Sequence, residues 1–189
     1  MADPVVSNFD NLIKQGNAGV HVCAAWGAIT HWLFKEARAM LHDQRDLAIH
    51  DAVMRQAMVT SYTIIKDSYE HEGEDTLDEG MAVGMKFGGE SLSNKVEFRS
   101  FMKNLGVTGA ARSMDNEEVG DLGMLLLTTL EIVKKYEKSE VVEKLESEIK
   151  DICIHQLDCE NILEDIQSSA EKYFETFKDA LLDMHPISN

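Results

Sequence analysis

The sequence predicts an all-α fold, a single irregular bundle of about six helices over residues 1–189 with a long C-terminal helix. Three observations carry this. The only prolines, Pro4 and Pro186, lie at the two ends, so no ring blocks a helical hydrogen bond in between. Apolar residues recur at three- and four-residue spacing along most of the chain. A capping residue also precedes a glutamate by three positions at Thr76–Glu79, Asn94–Glu97 and Asp115–Glu118, the pattern that satisfies free N–H groups at a helix start.

From Ser7 to Leu41 the helical spacing includes Val22, Trp26, Ile29, Leu33, Ala37 and Met40, with a break expected at Gly16–Gly19. After the loop His42–Arg45, a second helix is expected from Asp46 to Tyr69, closed by the acidic stretch Glu70–Asp75. A short helix at Leu77–Met85 would follow, opened by Thr76 among the glycines Gly80, Gly84, Gly88 and Gly89. Asn94 opens a helix from Lys95 to Leu105, with Phe98, Phe101, Met102 and Leu105 along one face and Gly106 as its stop. Asp115 opens a leucine-rich helix that is apolar nearly all round, which calls for enclosure by other helices. A turn is expected near Glu137–Glu140.

The C-terminal stripe is the most regular. Val142, Leu145, Ile149, Ile152, Gln156, Cys159, Leu163, Ile166, Ala170, Tyr173, Phe177, Ala180 and Met184 follow alternating three and four spacing. An unbroken helix of that length would run about 65 Å, so it must kink or project and pair with another chain. Ile166, Tyr173 and Phe177 are therefore candidate interface residues for a homo-oligomer.

The formal charge is −16, with 18 Lys and Arg against 34 Asp and Glu. That excess argues against broad nucleic-acid binding and against anionic membranes, and it favours basic partners. Gln15–Phe34 carries no formal charge, but its histidines and amides make it a buried helix rather than a membrane span. The N-terminus lacks a basic stretch followed by an apolar run, so no secretion signal is expected. Cys23, Cys153 and Cys159 match no paired spacing and read as reduced thiols in a cytoplasmic protein.

The charge is unevenly placed. Residues 1–83 carry net −7 and residues 114–189 net −12, whereas 84–113, in the glycine-containing centre 76–113, carries net +3. Its cations, Lys86, Lys95, Arg99, Lys103 and Arg112, are candidate binding residues. Lys95, Arg99 and Lys103 form one helical row about 120° from the apolar face. Such a row is either a contact strip for an acidic partner or a solvated face beside the protein's own acids.

Metal chemistry finds weak support. Asp46 with His50, and Asp151 with His155 and Cys159, have the i, i+4 spacing that lets one helix offer two ligands. The Glu-x-x-His motif of di-iron bundles is missing throughout. Glu117, Glu118 and Asp121 cluster where a helix dipole alone favours acids. The glycines at 84, 88 and 89 lack a phosphate-loop ending. The sequence thus points to a non-enzymatic helical interaction protein, a regulatory, adaptor or assembly subunit with a protein partner and no cofactor. The alternatives are a metal-dependent all-α hydrolase or metal-binding bundle, with Glu118 and Asp121 or Asp151 and His155 as ligands, and an assembly protein binding RNA or another anion through the basic strip.

Overall fold

The chain folds as an all-α bundle, seen in a computed structural model that describes residues 17–104 and 114–157 together with Glu164, Asp165, Ser168, Glu171, Lys172 and Glu175. Its α-helices are α1 (Ala18–Arg38), α2 (Gln44–Ser68), α3 (Glu74–Glu90), α4 (Lys95–Asn104), α5 (Asn116–Tyr136) and α6 (Ser139–Asp151). A 3-10 turn, Glu70–Glu72, joins α2 to α3, and a π turn, Ile152–Gln156, follows α6. No strand occurs among the described residues.

The local signals open the helices much as their chemistry requires. Asp43 accepts from the backbone N–H groups of Arg45 and Asp46 at 2.8 and 3.3 Å and starts α2. Asn94 accepts from Glu97 N–H at 2.9 Å, while the Glu97 carboxylate reaches back to Ser93 N–H at 2.8 Å. Asp115 accepts from Glu118 N–H at 2.8 Å. Thr76 does not open a helix. Gly73, with φ 92°, turns the chain in a conformation that suits glycine, and α3 starts at Glu74.

Among the described residues the spine is α1. Sixteen of its 21 residues are buried, and it contacts α2, α3, α5 and α6. Against α3 it packs backbone to backbone. A Cβ on Gly84 would lie 2.2 Å from Ala24 O, and one on Gly88 would lie 2.2 Å from Ala28 O. A Cβ on Gly80 would sit 3.4 Å from Val20 O. These partners advance together in steps of four, so α1 and α3 run parallel with a glycine ridge set into an alanine ridge. The helix expected at Leu77–Met85 is longer, 17 residues from Glu74 to Glu90, and it takes in Gly88 as well, because the missing side chains of its glycines let α3 dock.

Two polar joints tie α1, α2 and α5 together. The Thr129 hydroxyl donates to Leu125 O at 2.8 Å and accepts from Trp26 Nε1–H at 3.3 Å. Its one proton is spent, so the Ser61 hydroxyl 3.0 Å away must donate to it. His50 places Nδ1 2.6 Å from Glu137 and Nε2 2.9 Å from Phe34 O, with both side chains of the pair buried. Both partners are acceptors, so with Glu137 ionised the ring is an imidazolium donating twice. Burial alone would lower the His50 pKa. The hydrogen bond and charge of Glu137, aided by the Phe34 carbonyl, outweigh burial and raise it.

The C-terminal stripe does not continue as one α-helix. Helix α6 ends at Asp151, and Leu157 N–H bonds Ile152 O at 2.8 Å across the π turn. That turn takes up one extra residue, and among the described residues of this segment Val141, Leu145, Ile149, Ile152, Cys153 and Leu157 are buried.

Candidate functional site

The basic segment is presented by α4, and the way α4 is held decides which of its residues face out. Phe98, Phe101 and Met102 are buried. Phe98 stacks on Trp32 of α1 with ring centroids 4.1 Å apart and planes within 4°. Phe101 meets Phe87 of α3 at 4.9 Å. With those three positions turned inward, the 100° step per residue sends Arg99, Ser100 and Lys103 outward, and all three are exposed.

Five cations were expected as binding residues, and the structure divides them. Lys95 sits 3.7 Å from Glu148 of α6, so part of its charge is used within the protein. Lys86, Arg99 and Lys103 are exposed and have no ion-pair partner among the described residues. Arg112 lies outside the described residues, as do the expected interface residues Ile166, Tyr173 and Phe177. Val96 was missed by the sequence reading. It is 76% exposed, the highest value among the described large hydrophobic residues, and lies on the helix face shared by Arg99 and Lys103. Its position off the Phe98 face was the available signal, since an apolar residue there has nothing in the bundle to cover it.

The metal candidates have other partners or stand as an isolated pair. His50 is held by Glu137 and Phe34, whereas Asp46 pairs with Lys138 at 2.7 Å on the surface. His155 lies 3.9 Å from Asp151, and Cys159 is outside the described residues. Glu118 lies 3.2 Å from His21 Nδ1, and Asp121 accepts from the Tyr69 hydroxyl at 2.5 Å. Burial raises the pKa of both carboxyls, and the hydrogen bond from His21 or Tyr69 only partly opposes it. No three His, Cys, Asp or Glu gather as a metal ion requires among the described residues.

The same end of the bundle accounts for Glu72 and Cys23. Asn17 makes no side-chain cap on α1, and Gly19 N–H donates instead to the Glu72 carboxylate at 2.8 Å. A Cβ at Gly19 would meet Tyr69 and Glu72 at under 3 Å, so glycine is needed there. The Cys23 thiol is pushed up to about 12 by burial, with the Glu72 and Asp78 carboxylates adding to the effect, which keeps it protonated and unreactive.

No helix among the described residues is long and apolar enough to cross a membrane. No protein-family model matches the chain, and it matches no curated protein and no solved structure.

Proposed function

We propose that this chain is a non-enzymatic helical interaction protein, a regulatory, adaptor or assembly subunit that receives an acidic protein partner on the outer face of α4. One observation carries the reading: Arg99 and Lys103 stand unpaired among the described residues beside the exposed Val96, on a helix whose other side is anchored by three buried apolar residues. An exposed apolar residue framed by cations suits a partner offering carboxylates around an apolar contact. A mere counterweight to the protein's own acids would place each cation against a carboxylate, as Lys95 does with Glu148.

Binding by the native-source partner, and by an acidic amphipathic helical peptide as a defined probe, tests this in wild type and in the Val96→Ser, Arg99→Gln, Lys103→Gln variant. The variant is expected to bind the peptide at least tenfold more weakly, with its thermal midpoint unchanged. Raising the salt to 1 M should close most of the gap, as the Debye length falls to about 3 Å. Equal binding by both proteins at low salt overturns the proposal. A single-stranded RNA that outcompetes the peptide would replace the protein partner with a nucleic acid.

A further inference from the structure

A second cationic feature lies on another face, in a cleft of about 360 Å³ between α1 and α2. On α1, His31, Phe34, Lys35 and Arg38 follow one another at three-, one- and three-residue steps along a single face. Asp51, Met54 and Arg55 of α2 form the opposite wall. Within a chain of net −16, this small space brings together three permanent cations and one carboxylate.

The four donor side chains differ in how much of their capacity is spent. Lys35 Nζ donates to Leu92 O at 2.6 Å and Gly89 O at 3.3 Å, so its ammonium is tethered at the C-terminal end of α3. Arg38 grips Asp51 with Nε at 2.9 Å and Nη2 at 3.3 Å, which orients the guanidinium and leaves further N–H groups free. Arg55 is exposed and has no hydrogen-bond partner among the described residues. His31 Nδ1 is buried and also without a partner. Beneath these groups lie the buried Phe34 and the half-buried Met54.

We propose that this cleft binds a small phosphate-bearing ligand, with Arg55 and Arg38 around the phosphate, His31 lining the wall beside it, and the body of the ligand over Phe34 and Met54. Guanidinium donors arriving from two helices suit the several oxygens of a tetrahedral dianion better than the one plane of a carboxylate. Net positive charge focused in a concave site raises the local concentration of such an anion. Asp51 has a double role here. It orients Arg38, and its own charge opposes the ligand, which weakens binding. The site is separate from the outer face of α4, and neither proposal depends on the other.

Calorimetric titration of the full chain with inorganic phosphate, phenyl phosphate and benzoate at low salt tests the assignment. One saturable site is expected for both phosphates, tighter for phenyl phosphate, with benzoate weaker than either. Arg55→Gln should weaken phenyl phosphate binding by about tenfold or more, the loss of one charge-assisted hydrogen bond. Because Arg55 is exposed, the thermal midpoint should stay in place. Asp51→Asn should bind more tightly than wild type, since it removes the opposing charge and frees Arg38. A purely structural Arg38–Asp51 pair would give no such gain. Titration with phenyl phosphate should also move the imidazole proton resonance that is lost in His31→Gln. The proposal is overturned if neither phosphate saturates, if Arg55→Gln binds as wild type does, if Asp51→Asn binds no tighter, or if benzoate matches phenyl phosphate.

Discussion

Helices α3 and α4 are both seated on α1, by opposite means. Against α3 the contact is backbone on backbone, with Gly84 and Gly88 lying on the carbonyls of Ala24 and Ala28. Against α4 it is ring on ring, Phe98 on Trp32, supplemented by an ion pair from Lys95 to α6. The first contact has no side chain that can turn aside. The second consists of side chains that can be shortened one at a time. The sequence constraint on the bundle is therefore concentrated at α1 and α3, and α4 is the helix whose surface is free to vary with a partner.

The largest expected effect breaks the α1–α3 side. Gly84→Val with Gly88→Val places new atoms where Ala24 O and Ala28 O already are, so no cooperative unfolding transition should remain in circular dichroism. Next comes the joint that fastens α2 and α5 around α1. His50→Gln leaves the Glu137 carboxylate buried without its counter-ion, and urea unfolding near pH 6 should show a loss of about 3–5 kcal/mol. The sign of its pH dependence follows from the raised His50 pKa. The stabilisation is complete below the ordinary imidazole value of about 6.5 and disappears as pH rises through the higher folded-state value. The wild-type advantage over the variant should therefore shrink on the alkaline side.

Phe98→Ala removes the ring beneath α4 and should cost about 3 kcal/mol. Amide exchange sharpens the comparison, because protection should fall in α4 while α1 and α3 keep theirs. The smallest effect serves as the control for the glycine argument. Among the described residues nothing lies within 4 Å of a Cβ built on Gly120, so Gly120→Ala should stabilise the protein by up to about 1 kcal/mol in the same urea assay. Instability there would mean that glycines in this bundle are needed for some reason other than close approach.

Features that depend on neighbours three or four residues away were readable from the sequence. Asn94 and Asp115 cap helices because donor and acceptor lie within one turn, and Phe98, Phe101 and Met102 share a face for the same reason. The expected helix Leu77–Met85 stopped short of Gly88, and the packing role of Gly80, Gly84 and Gly88 was not visible, because a glycine's local preference says nothing of the residues it meets some 60 positions earlier. The four-residue period shared with Val20, Ala24 and Ala28 was the usable sign. The π turn at Ile152 was hidden because apolar residues on both sides of the stripe support either register. At the proposed sites the cations of α4 were visible as a row, and Val96 was not. Nor was the α1–α2 cleft, since nothing local relates Arg55 to His31 before the two helices are laid side by side.

The chain has two tryptophans, and each belongs to a different part of this arrangement. Trp26 is fully enclosed and donates to Thr129, so its indole reports on the joint of α1, α2 and α5. Trp32 lies under Phe98, and its indole N–H is buried without a partner among the described residues. Lifting α4 would wet that indole and leave the other dry. A red shift confined to Trp32, followed in a Trp26→Phe background, would give an intrinsic fluorescence signal for α4 leaving or regaining its seat, with no label attached.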